Sequence, residues 1–170
     1  MCIRDRHKAI SAFKIALYEP DIPQNTASII RTCSCLGASL EIIEPCGFLL
    51  SDKRFKRVVL DYMNLDKIKF YESAEDFLQA KSKQRVILMT TKGKGNYTDF
   101  KFKKNDTILF GKESAGVPEK IHKLVNHRLK IPMVDKKRSL NLSTSVSIVV
   151  AECLRPVSYT HLTLPTIVSV

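Results

Sequence analysis

The chain has 170 residues and a formal charge of +11, from 28 lysines and arginines against 17 aspartates and glutamates. That length makes about one domain around one core and requires no second, while the charge favours an anionic partner, nucleic acid before others; a basic protein without such a partner is the plain alternative. No apolar run approaches the roughly 20 residues of a membrane-spanning helix and the start lacks the apolar core of a secretion signal, so the chain reads as cytoplasmic, with no membrane partner.

In chain order, both ends look foreign to the domain. Residues 1–12 show neither helical nor strand periodicity, and residues 156–170 are rich in β-branched residues and in Ser and Thr and contain no Lys, Arg, Asp or Glu. Both resemble translated adapter sequence and are set apart from fold reasoning. The working domain is residues 13–155. Setting aside Arg4, Arg6, Lys8 and Asp5 takes two from the formal charge and leaves +9, so the basic character belongs to the domain.

Within it, short apolar runs alternate with amphipathic segments, the pattern of an α/β fold with a mostly parallel open sheet and helices on both faces. Strands are predicted at Lys14 to Tyr18, Leu40 to Ile43, Ile68 to Tyr71, Val86 to Met89, Thr107 to Phe110 and Arg128 to Ile131. Helices are predicted from near Asn25 to Leu36, where Gly37 suits a left-handed stop, and over Lys53 to Leu60, Ala74 to Ala80, Pro118 to Leu124 and Asn141 to Leu154.

Cys2, Cys33, Cys35, Cys46 and Cys153 show no CxxC spacing, which suggests neither a disulfide framework nor a zinc site. Cys33 and Cys35 on one helix point about 200° apart and cannot share a metal. His7, His122, His127 and His161 lack partners at ligand spacing and read as surface residues, so no metal is expected.

Three segments carry chemistry. In Pro20-Asp21-Ile22-Pro23-Gln24-Asn25-Thr26, a strand ends, prolines hold off helix until about residue 24, and the helix that follows offers free N–H groups where a phosphate can sit. Asn25 and Arg31 lie six residues apart, able to border one site from adjacent helix faces; a helix cap and a solvated charge are the simpler roles. In Phe110-Gly111-Lys112-Glu113-Ser114-Ala115-Gly116, a glycine turn follows an apolar strand, where backbone groups can approach a nucleoside; Glu113 could orient a partner or merely favour the nearby helix start. In Ile131-Pro132-Met133, proline takes the chain out of the sheet, and Ser139-Leu140-Asn141 opens the last helix, with ordinary capping as the simpler role. An open α/β sheet builds its ligand crevice at such strand ends.

Together these motifs resemble those of the trefoil-knotted SPOUT RNA ribose methyltransferases, most closely the small enzymes acting on the tRNA wobble nucleotide. The resemblance covers about Lys14 to Glu152 and implies a C-terminal deep trefoil knot, S-adenosylmethionine as cofactor, the anticodon loop of tRNA as partner, and a homodimer joined through the first and last helices. It implies that Met89, Gly111, Ile131, Met133, Ser139 and Leu140 hold the cofactor. Arg31, Ser139 and Asn141 would face the ribose hydroxyl, with Asn25 and Glu113 in support. Departures are Ala27 where many relatives have Gly, Lys112 where Arg is usual, and Ala151 where some have Tyr. Since a guanidinium stays protonated at neutral pH, Arg31 is read as gripping the adjacent phosphate, with Ser139 or that phosphate accepting the proton. Lys53-Arg54-Phe55-Lys56-Arg57 and Lys92-Gly93-Lys94-Gly95-Asn96-Tyr97 are candidate RNA contacts, or solvated charge. The alternatives are methylation of another tRNA or ribosomal-RNA nucleotide and a non-catalytic RNA-binding module; an oxidoreductase is disfavoured because no GxGxxG follows the first strand.

Overall fold

Among the described residues there are seven short strands: β1 Lys14–Tyr18, β2 Ser39–Ile43, β3 Ile68–Tyr71, β4 Val86–Met89, β5 Gly95–Asn96, β6 Thr107–Phe110 and β7 His127–Lys130. The structure is a computed structural model that describes residues 13–51, 55–57, 68–134 and 139–161, with side chains through Arg155. The strands make one sheet in the order β3-β2-β1-β6-β4-β7-β5, and all six pairings between them are parallel.

A parallel sheet is covered on both faces, and its central strands are therefore apolar on both sides. Ile108 and Leu109 of β6 point to opposite faces, and both are fully buried. Helices α1 Pro23–Leu36 and α4 Leu142–His161 cover the face that carries Ile15, Leu17 and Ile108. Helices α2 Ala74–Ala80 and α3 Glu119–Leu124 cover the face of Ala16, Leu88 and Leu109. Each fully buried Ile or Leu contributes about 1.5–3 kcal/mol by leaving water.

Departures from the sequence expectation are local, including one-residue shifts at the starts of β2, α3 and α4. Helix α1 begins at Pro23, not after it: proline's fixed φ suits the first helical position, and its missing N–H is one that no intrahelical carbonyl would receive. Strand β7 starts at His127, one residue before the expected start, and ends at Lys130. The two-residue β5 has no apolar periodicity and exists because Gly95 and Asn96 pair with Leu129 and Lys130. Helix α4 runs across Pro156 to His161 rather than ending at Leu154, although an interior proline disfavours helix. Gly37 stops α1 in the left-handed conformation, with φ of 73°. Of the expected helix over Lys53 to Leu60, only residues 55–57 are described, and they are helical. The remainder of that segment and residues 1–12 lie outside the described residues.

Strand order places the site. From β1 the chain winds through β2 and β3 on one side, while β6 and β4 lie on the other. The carboxyl ends of β1 and β6 therefore flank the point where the winding changes direction, which is where open α/β sheets bind ligands.

Candidate active site

Three turns leave the carboxyl edge of the sheet and converge. The turn after β1 leads into α1 and carries Asp21 and Asn25; the turn after β6 carries Gly111 to Gly116; the segment after β7 carries Ile131 and Met133 and returns as Ser139 to Asn141 at the start of α4. They enclose a cavity of about 540 Å³, within the usual range for small-molecule sites.

A chain of amides and carboxylates ties these turns together. Asn25 Nδ2 donates to Glu113 Oε1 at 3.0 Å, and Asn141 Nδ2 donates to Asn25 Oδ1 at 2.9 Å. Asn141 Oδ1 accepts from Ser143 Oγ at 2.7 Å and from the Thr144 N–H at 3.2 Å. Asn141 thus caps α4 with its oxygen while its nitrogen reaches α1, so the capping role and the site role coexist. Asn25 does not cap its helix: the cap position is Ile22, and Asn25 lies in the first turn, 8% exposed. The Glu113 carboxylate and the Thr144 N–H fix which end of each amide is oxygen, and the pattern leaves Asn25 and Asn141 one further Nδ2 hydrogen each.

Glu113 acts on the first turn as well. Its Oε2 accepts the Asp21 N–H at 2.8 Å, so one carboxylate spans α1 and the loop before it. Asp21 returns the contact: its Oδ2 accepts from the Ser114 N–H at 3.2 Å and from Ser114 Oγ. Asp21 is a positioning residue that sequence reasoning gave no role, although it is the one carboxylate between Pro20 and Arg31. Lys112 pairs with Glu19 at 3.1 Å, which holds its charge at the cavity wall.

Gly111 is required by contact. A Cβ there would lie 2.5 Å from the Gly116 carbonyl carbon, because Lys112 and Gly116 form an isolated bridge that folds the turn back on itself. Gly116 closes that turn at φ of 67°.

Met89, Gly111, Ile131, Met133, Ser139 and Leu140 all line the cavity, as do Asn25, Glu113 and Asn141. Arg31 is not among the lining residues: it lies about 9 Å along α1 from Asn25, on the exposed side of the helix. Gln24, Ser28, Arg31 and Cys35 form that exposed stripe, while Cys33 is fully buried, as opposite helix faces require. His122 corrects the surface assignment, for it is buried at 7% exposure on α3 and borders the cavity. His127 is half-buried, with its ring 5.3 Å from Phe100. A buried histidine on a short amphipathic helix has no distinguishing sequence signal. Among the described residues there is no group of three or more His, Cys, Asp or Glu that could hold a metal, and no helix long and apolar enough to cross a membrane.

A parallel sheet with a polar-walled crevice at its switch point, built from three separated turns, defines an α/β protein with a site of nucleotide-cofactor size. The chain belongs to the SpoU rRNA methylase family, whose model matches residues 12–151. A protein of Beijerinckia indica subsp. indica named tRNA (cytidine(34)-2'-O)-methyltransferase is 42% identical over 145 residues, 84% of this chain and 91% of the relative. The protein of that name from Escherichia coli strain K12 is 41% identical over 147 residues, 85% and 94% of the two chains. A solved structure described as giving structural insights into the 2-OH methylation of C/U34 on tRNA is similar with a TM-score of 0.81 and 36% identity, over 86% of this chain and 97% of that one.

Proposed function

We propose that this protein is a cytoplasmic, homodimeric methyltransferase that uses S-adenosylmethionine to methylate the ribose 2′-oxygen of the wobble nucleotide in the anticodon loop of tRNA. The observation that carries the reading is the Glu113–Asn25–Asn141 chain, which joins three sequence-distant motifs at one cavity in a chain with relatives of that name.

The residues fit the cofactor. Gly111 lets the backbone of its turn close tightly, and Met89, Gly111 and Ile131 bring main-chain donors and acceptors of the strand ends to a nucleoside-sized cavity, with Met133 and Leu140 supplying apolar contact. Bound there, S-adenosylmethionine supplies an electrophilic methyl group. The protein's own part is to position and to manage charge. Asn25 and Asn141, locked by Glu113, present their remaining amide hydrogens; Ser139 borders the cavity, where it relays the ribose hydroxyl proton to a phosphate oxygen as its own proton moves on.

Arg31 grips the phosphate beside the target ribose from the dimer interface. The exposed stripes of α1 (Gln24, Ser28, Arg31, Cys35) and of α4 (Thr144, Ala151, Arg155) hold mostly short side chains, suited to close helix packing against a second copy. The trefoil knot belongs to the same reading: Ile131 and Met133 after β7 and Ser139 to Asn141 before α4 line one cavity, and α4 packs beside α1, with Thr32 Oγ1 3.5 Å from Ser147 Oγ.

The test is transfer of labelled methyl from S-adenosylmethionine to tRNA lacking ribose methylation, with the labelled nucleotide mapped by nuclease digestion. Label at the wobble 2′-oxygen supports the proposal; label at another tRNA or ribosomal-RNA position replaces the target; cofactor or RNA binding without transfer to any RNA overturns the enzyme. Arg31→Lys should lower turnover, because an ammonium cannot make a two-pronged phosphate contact; full turnover would remove that role.

A further inference from the structure

We infer that the outer edge of the sheet is a second RNA-binding surface, a cationic track that runs from the cavity mouth to the opposite rim and takes the phosphate backbone of the stem beside the target nucleotide. This rests on the RNA-methylation reading and extends it beyond the crevice.

The track is segment 92–104. It starts at Lys92, which lines the cavity, and passes Lys94 to β5, where Asn96 pairs with Lys130 at the carboxyl end of β7. The chain then reverses through the 3₁₀ turn Tyr97–Asp99. By residue 100 it has reached the other rim: the Phe100 ring lies 5.3 Å from that of His127, the first residue of β7, and Arg85 Nη2 donates to the Lys101 carbonyl just ahead of β4.

Its geometry is fixed from behind. Phe100 and Phe102 turn inward, packed on the core and on each other with ring centroids 5.1 Å apart, while Lys101, Lys103 and Lys104 are exposed. Asp106, 2% exposed, accepts the Lys103 N–H at 2.7 Å and pairs with Arg85 at 3.1 Å; the Arg85 guanidinium lies 5.0 Å from the Phe100 ring centre. At the other end, a Cβ on Gly93 would come within 2.3 Å of the Leu129 backbone, so the Lys92–Lys94 loop lies directly on β7.

The charge is one-sided. Segment 92–104 has five lysines and one carboxylate, Asp99, which accepts from Asn96 Nδ2 at 3.3 Å. Asp106 is spent on Arg85 and the loop backbone, so it does not pair with the exposed lysines. A surface of this kind, without a groove or an apolar face, reads a phosphate backbone by charge and carries no base recognition.

The experiment replaces Lys101, Lys103 and Lys104 together by alanine and measures affinity for an unmodified anticodon stem-loop and for a full tRNA transcript across a salt series. The triple variant should lower the slope of log affinity against log salt by about two to three, and lower affinity tens- to hundreds-fold near 0.1 M salt, on both RNAs. A triple arginine variant should restore both quantities, and binding of S-adenosylmethionine and the thermal midpoint should match the parent. Unchanged affinity and slope, failure of arginine to restore them, no salt-dependent RNA binding by the parent, or an effect on full tRNA alone would overturn the track beside the target. The two readings separate: a parent that does not methylate the wobble position, with a triple variant that still loses affinity and slope, leaves the track and removes the target. Wobble methylation by a parent whose triple variant binds RNA unchanged does the reverse.

Discussion

Two of the regions that bury polar groups in this protein do so for different ends. At the crevice, Glu113, Asn25 and Asn141 form a half-buried chain with neutral amides at its centre, open to a cavity. Behind β2, Lys81 at the end of α2 donates to Glu41 at 2.7 Å, both side chains no more than 5% exposed. The ion pair is not part of the crevice lining and joins α2 to the sheet; the amide chain joins three motifs and keeps hydrogen-bonding capacity in reserve. Burial of charge marks structure here, and partly exposed, directionally fixed amides mark the site.

Removing one member of the ion pair should have the largest effect. Lys81→Ala leaves Glu41 buried and unpaired and should destabilise the fold by about 3–5 kcal/mol in denaturant titration. Replacing both partners, Lys81→Met with Glu41→Leu, should recover most of that loss. A double variant as unstable as the single would show that the pair, and not an orphaned charge, holds α2 to the sheet.

Asn25→Ala should act oppositely, with little change in the denaturation midpoint but a loss of methyl transfer of about 100-fold, the scale of a small misplacement at a reacting centre. An equal loss of stability and activity would erase the distinction between the two regions.

A further effect, absent at neutral pH, concerns a buried group shifted by burial alone. Cys33 is fully buried and its thiol is pushed up to about 12 from an ordinary value near 9. Above pH 9 the unfolded chain loses a proton that the folded chain keeps, so folding stability should fall as pH rises from 9 towards 12, by at most about 1.4 kcal/mol per pH unit from this thiol. Cys33→Ala should lower stability at neutral pH and flatten that alkaline decline, read from denaturation midpoints at successive pH values.

Much of the fold was legible along the chain because its signals are local. Apolar runs such as Val86 to Met89 and Thr107 to Phe110 became strands with the expected bounds, and Gly37 ended α1 as its conformational freedom allows. The site motifs were legible for a related reason, since prolines and glycines beside strand ends mark where a chain leaves a sheet. Less legible was what each residue does there. Asn25 looked equally suited to a helix cap, Asp21 had no evident task, and His122 gave no sign of burial, because the first two outcomes depend on partners 88 and 93 residues away and the third on tertiary packing.

Composition and short-range periodicity are enough for the alternation of strands and helices, the basic charge and the three motifs. Packing in three dimensions is needed to put β1 between β2 and β6, to bring Glu113 to both Asp21 and Asn25, to make a strand of Gly95 and Asn96, and to set five lysines along one edge. Hydrogen-bond partners and strand neighbours are set by which surfaces can be buried together, a property of the packed molecule that no short stretch of chain contains.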